Sequence, residues 1–177
     1  FYRTKEIKEL ANDKEISLEL FISEEKYLEI KEKFGVPKIG DILMSAVGTI
    51  GEILVIENEN RFYFKDGNIV WFKDFNDVNS FYLKYLLRTF VENLKSLAKG
   101  AAYSALTIEK IKEYEVYIPN TLEEQQKIVT QLDQLQEQTN LLVTKYKQKL
   151  ANLEELKKSI LEKAFKGELS TKEIEKV

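Results

Sequence analysis

The residues with chemical reach gather in a few short stretches, and what they offer is hydrogen bonding rather than reactivity. In Ser45-Ala46-Val47-Gly48-Thr49-Ile50-Gly51, two hydroxyls flank a glycine turn. Gly48 and Gly51 let the backbone approach a phosphate there, with the Ser45 and Thr49 hydroxyls as donors. Lys99-Gly100-Ala101-Ala102-Tyr103-Ser104 sets a cation, small residues, an aromatic and a hydroxyl where a DNA backbone and a base edge could both be met. Arg3, Thr4 and Lys5 form a third group, arginine being the favoured bidentate reader of guanine and lysine a backbone clamp. Lys65 and Asn68 flank Asp66-Gly67, and asparagine can pair with adenine. Each stretch also has a purely architectural account: a hairpin whose glycines take positive φ, a helix end at Gly100, an exposed charged terminus, and ordinary turn chemistry.

Composition removes most other chemistry. Histidine and cysteine are both absent, so no imidazole-based triad, thiolate nucleophile or cysteine-type zinc site can exist. Carboxylates are plentiful, but none is paired in a way that indicates acid–base work. There is no P-loop, and no Asn-Pro-Pro-Tyr/Phe motif of the adenine methyltransferase kind. We therefore expect no catalytic residue, metal site or cofactor in this chain. The net charge of −3 and pI near 5.3 confine any nucleic-acid contact to a local patch. No apolar run reaches the roughly 18 residues of a membrane span, and no signal peptide opens the sequence, so the cytoplasm is the expected location. The first residue is Phe1 and the sole methionine is Met44, which reads as part of a longer sequence.

The elements that must position these groups read as an α+β head followed by a helix. Residues 2–7 are a polar opening. Ile16-Ser17-Leu18-Glu19-Leu20 alternates as a strand running towards Phe21 and Ile22. Ser23 caps a helix from Glu24 to Lys33, with Gly35 past its end. Strands follow at Asp41–Val47, Ile53–Ile56, Arg61–Phe64 and Ile69–Phe72, joined by the glycine turn, Asn58-Glu59-Asn60 and Asp66-Gly67, and these compose a small twisted sheet of about four strands. Phe62, Phe64, Trp71 and Phe72 suit its core better than base stacking. Asn79 or Ser80 caps a second helix, apolar on more than one face, that ends at Lys99-Gly100. Thr107 caps a short helix through Lys112, and Tyr114–Ile118 reads as a last strand before Pro119.

From Leu122 a helix should run almost unbroken to Lys166, opened by a Thr121/Glu124 capping box and stopped at Gly167. Ile128, Leu132, Leu135, Leu142, Tyr146, Leu153, Leu156 and Ile160 mark a heptad seam, interrupted by Thr139 and Lys149, which could fix register and orientation. Its lysines make a solvated face that could also neutralise DNA alongside.

Several stretches together carry a resemblance: Gly40-Asp41-Ile42-Leu43-Met44-Ser45, Val47-Gly48-Thr49-Ile50-Gly51, Lys99-Gly100-Ala101-Ala102, Ile118-Pro119 leading to Leu122-Glu123-Glu124-Gln125-Gln126-Lys127-Ile128-Val129, then Leu156-Lys157-Lys158-Ser159-Ile160-Leu161 and Ala164-Phe165-Lys166-Gly167-Glu168-Leu169. Their order resembles the bacterial specificity subunit of Type I restriction-modification enzymes, over about residues 1–169. The resemblance implies a target recognition domain at 1–119, a conserved helical spacer at 120–169 forming an antiparallel coiled coil, and a tail at 170–177. It implies double-stranded DNA as ligand and methyltransferase and restriction subunits as partners. S-adenosylmethionine, ATP and magnesium would belong to those partners, and adenine methylation and cleavage to the assembled complex. The family's subunit usually carries two recognition domains and two spacers; this chain has one of each, so a second copy or a further part of the same chain must complete it. Two other readings suit the same residues: a coiled-coil adaptor whose head binds protein, and the recognition domain of a fused methyltransferase-nuclease.

Overall fold

The computed structural model describes residues 1–17, 19–64, 67–97 and 106–169. The chain divides into two compact units, Phe1–Val129 and Thr130–Val177. The first is built on a three-stranded antiparallel sheet of β1 (Ile42–Ser45), β2 (Ile53–Val55) and β3 (Ile69–Phe72), in the order β2-β1-β3. Leu43 is the register point, facing Leu54 on one side and Trp71 on the other.

Strand alternation sorts the core into two layers. Ile42 and Met44 point to one face, where they pack with Ile53, Val55 and the Leu87, Phe90 and Val91 side chains of α3 (Ser80–Leu97). Leu43 points to the other, where it meets Ile7, Ile56, Phe62, Phe64 and Ile69. Ile7 lies on α1 (Thr4–Ala11), so the sheet is covered by one helix on each face. Phe62 and Phe64 are core residues, as their spacing predicts, and the half-buried Trp71 packs against them; Phe64 meets Trp71 edge-on, and the indole N–H donates to Asp41 at 2.9 Å.

Helix ends follow their capping chemistry. Ser23 accepts the Lys26 N–H at the start of α2 (Glu24–Phe34), and Gly35 closes it at φ +80°. Asn79 Oδ1 accepts the N–H groups of Phe81 and Tyr82 at the start of α3. Thr107 caps α4 (Ile108–Lys112). The long helix α5 (Leu122–Phe165) begins where Thr121 Oγ1 accepts the Glu124 N–H and the Thr121 hydroxyl donates to the Glu124 carboxylate at 3.0 Å. It ends at Gly167, φ +70°, whose N–H and that of Glu168 bond the carbonyls of Ala164 and Lys163.

Four expectations are corrected. The polar opening at residues 2–7 runs into a helix, α1 from Thr4 to Ala11, because Ile7, Leu10 and Ala11 share a helical face. The described residues of Ile16–Ile22 form no strand: Phe21 is 83% exposed, and alternation without a neighbouring ladder does not make one. Among the described residues Arg61–Phe64 contributes an isolated parallel bridge from Phe64 to Tyr2, and the sheet has three strands instead of four. Tyr114–Ile118 forms no strand among the described residues, with Tyr117 97% exposed and its carbonyl accepting the Tyr82 hydroxyl. The helix end at Lys99-Gly100 and the turn residues Lys65 and Asp66 lie outside the described residues.

The second unit, as far as residue 169, is the remainder of α5 and its stop. Every seam residue from Leu135 onward is exposed. Among the described residues no helix is long and apolar enough to cross a membrane.

Candidate nucleic-acid interface

One end of the sheet assembles several of the residues with chemical reach. The turn after β1 folds back through Ser45, whose hydroxyl donates to the Thr49 carbonyl and accepts the Glu52 N–H at 3.0 Å. The Gly51 N–H returns to the Ser45 carbonyl at 2.9 Å. Beside it, the Ala46 N–H bonds the Asn68 carbonyl at 2.7 Å, and the Leu106 N–H bonds the Ala46 carbonyl at 2.7 Å. The start of β3 and the residue that follows the undescribed stretch 98–105 thus meet at this turn.

The residues of the turn have different jobs. Ser45 is fully buried and its hydroxyl is spent inside the turn, so the expectation that it donates to a phosphate is corrected: it shapes the loop that others present. Gly51, at φ +88°, is also architectural, because a Cβ there would lie 2.4 Å from Val91 Cγ1 on α3. Gly48, at φ +74°, has open space where its Cβ would be, and is exposed with Thr49. That pair offers backbone and hydroxyl to an incoming group. Gly48, Thr49 and Ile50 form one wall of a hollow of about 230 Å³ whose other wall is Val91, Leu94 and Lys95 of α3.

Sequence reasoning missed what α1 brings here. Lys8 Nζ donates to Thr49 Oγ1 at 3.3 Å and lies 3.5 Å from Glu52. Asn12 bonds Glu52 at 2.8 Å. A cation, an amide, a hydroxyl and the Glu52 carboxylate that joins them therefore share one rim. The signal was available: Ile7, Leu10 and Ala11 at helical spacing put Lys8 on the neighbouring face.

Arg3 is committed elsewhere. Its guanidinium holds Glu6 through Nη2 at 2.8 Å and Nε at 3.2 Å, and its backbone N–H bonds the same carboxylate at 2.8 Å. Glu6 is 0% exposed, and these bonds bring its pKa down to about 2 despite burial. A guanine fork from Arg3 would strand that buried charge, so its expected role as a base reader gives way to capping α1. Thr4 opens the helix, and Lys5 is exposed with Glu9 at 3.9 Å, a loose pair. Tyr2 joins this terminus to Tyr63 and Phe64, beside the undescribed Lys65. Asn68 is exposed at the rim. Lys99, Gly100, Tyr103 and Ser104 lie outside the described residues. No cluster of acidic side chains among the described residues could hold a metal ion.

Comparison with known proteins supplies the context. A family model described as "Type I restriction modification DNA specificity domain" matches residues 1–152. A Haemophilus influenzae protein assigned as a type I restriction enzyme specificity subunit is 39% identical over 120 residues, 68% of this chain and 30% of its own. The Type I restriction enzyme EcoBI specificity subunit of Escherichia coli is 27% identical over 161 residues, 90% of this chain and 34% of its own. A chain from a solved structure, described as addressing complex assembly and conformational transition of the type I R-M system, aligns with a TM-score of 0.56 and 29% identity over 75% of this chain and 32% of that one. The present chain thus spans about a third of the length of the curated relatives it matches.

Proposed function

Since the chain belongs to the Type I restriction modification DNA specificity domain family, we propose that it reads one half of a bipartite DNA site for a restriction-modification complex. The first unit is the reader, and the rim of Lys8, Thr49, Gly48 and Asn68 faces the duplex. Phosphate contacts from this rim set register, and base contacts fall to Lys65, Lys99, Gly100, Tyr103 and Ser104. Lys5 adds a backbone contact. Methylation and cleavage fall to partner subunits, which supply S-adenosylmethionine, ATP and magnesium sites in the cytoplasm.

The observation that carries the reading beyond the family match is the bare seam of α5. Leu142, Tyr146, Leu153, Leu156 and Ile160 are all exposed along one helix of 44 residues. A regular apolar seam of that length is stable in water only when covered, and a matching antiparallel helix covers it. The counterpart is a second copy or a further part of the same chain. At about 1.5 Å per residue the helix measures roughly 66 Å, enough to hold two heads one to two duplex turns of roughly 34 Å apart.

Deleting one heptad from the middle of α5 tests the ruler. The recognised half-sites should stay the same while the gap between them shortens by roughly 10 Å, about three base pairs. Mapping methylated sites in cells that express the complete complex reads this directly, and an unchanged gap would sink the idea.

A further inference from the structure

The start of α5 is held to the head by an unusual joint. Gln125 is 0% exposed, yet all its amide groups are engaged. Its Oε1 accepts the Asn79 N–H at 2.7 Å, and its Nε2 donates to the carbonyls of Asp77 at 3.0 Å and Pro119 at 2.9 Å. Beside it, Asn79 Nδ2 donates to Gln126 Oε1 at 2.8 Å. Asn79 is also the cap of α3, the helix packed on the sheet. The chain of contacts therefore runs from the sheet through α3 and Asn79 into the first turn of α5.

Apolar packing at this junction is slight. Leu122 is exposed, Ile128 is half-buried, and of the apolar residues in this first stretch of α5 only Val129 is buried. Packing alone holds this helix start weakly, whereas an amide bonded to three backbone groups ties the first turn of α5 to Asp77, Asn79 and Pro119. The tolerance required is narrow. With a lever of roughly 66 Å, a tilt of about 3° moves the far end by one base-pair step of about 3.4 Å.

We propose that Gln125, supported by Asn79 and Gln126, is the positioning residue that makes the half-site gap sharp. The inference rests on the DNA-reading function above. Gln125 touches no base; it sets the direction in which the spacer leaves the head. Replacing its amide by an apolar group of similar volume should loosen the gap while leaving the half-site sequences alone.

The test uses the full chain assembled with its methyltransferase subunits and selects bound duplexes from a fully randomised library, for wild type, Gln125→Leu and Gln126→Ala. Sequencing yields half-site motifs and a gap distribution for each. With Q125L, the preference for the wild-type gap over gaps one base pair longer or shorter should fall by about tenfold, with unchanged half-site motifs. Q126A, whose side chain is exposed, should broaden the gap less, and it decides the matter where Q125L fails to fold, as judged by circular dichroism. A purely structural role predicts weaker selection at every gap with the same sharpness, and that result overturns the proposal. Wild type selecting no sequence at all would instead remove the DNA-reading function itself.

Discussion

Two glycines within one turn show how the same residue type serves unlike ends. Gly51 is required because α3 comes so close that a Cβ would strike Val91, and its φ of +88° adds strain for any other residue. Gly51→Ala should cost about 2–4 kcal/mol, read as a shifted denaturation midpoint. Gly48 has the strained φ without the clash, so Gly48→Ala should cost only about 1 kcal/mol. A DNA backbone that approaches Gly48 would lose disproportionate affinity in that second variant. Equal stability losses for the two would contradict the packing account. Glu6 gives a second expectation at this scale. Its folded pKa of about 2 lies below the ordinary 4.5, so its contribution is complete above pH 4.5 and fades as pH falls towards 2. Allowing for the half-exposed Arg3 partner, that contribution is about 2 kcal/mol. Urea midpoints across this range should show a shallower acid loss for Glu6→Gln than for wild type.

At the scale of elements, the seam of α5 makes the firmest prediction. Leu142→Ala with Leu153→Ala removes two exposed side chains, so the melting of the head should not change. Where a partner helix covers them, each loses about 1.5–3 kcal/mol of burial, and sedimentation should show the assembly dissociating at higher concentration. Thr139, at the polar break, already spends its hydroxyl on the Leu135 carbonyl at 2.8 Å, so its effect on pairing comes through the methyl it offers and the leucine it displaces. Helices were legible from the sequence wherever a cap announced them: Ser23, Asn79, Thr107 and Thr121 all cap as their chemistry predicts. The exception was α1, whose cap is an arginine paired with a buried glutamate, a combination no capping rule flags. Strands were less legible, because alternation records which side is buried and says nothing of whether a neighbour supplies the ladder. Phe62 and Phe64 are buried in alternation, as the pattern requires, yet among the described residues their segment forms no named strand and Phe64 makes an isolated bridge to Tyr2. Lys8 and Asn12 went unnoticed for the same reason that α1 did. Gln125 lies inside the Leu122-Glu123-Glu124-Gln125 stretch, but nothing in one sequence distinguishes a buried glutamine from a solvated one.

For the molecule as a whole, a net charge of −3 means that affinity for DNA must come from a rim and not from a coat. Salt dependence measures it. About four phosphate contacts across an assembled complex should lower affinity by about a hundredfold between roughly 50 and 200 mM salt. A flat dependence would favour the alternative of a protein-binding head on a coiled coil. The joint at Gln125 has one further consequence. Each of its three partners is a main-chain atom: the carbonyls of Asp77 and Pro119 and the N–H of Asn79. The glutamine therefore places no demand on the side chains at positions 77 and 119. Side-chain substitutions at either position should therefore leave the joint intact as long as the backbone keeps its course.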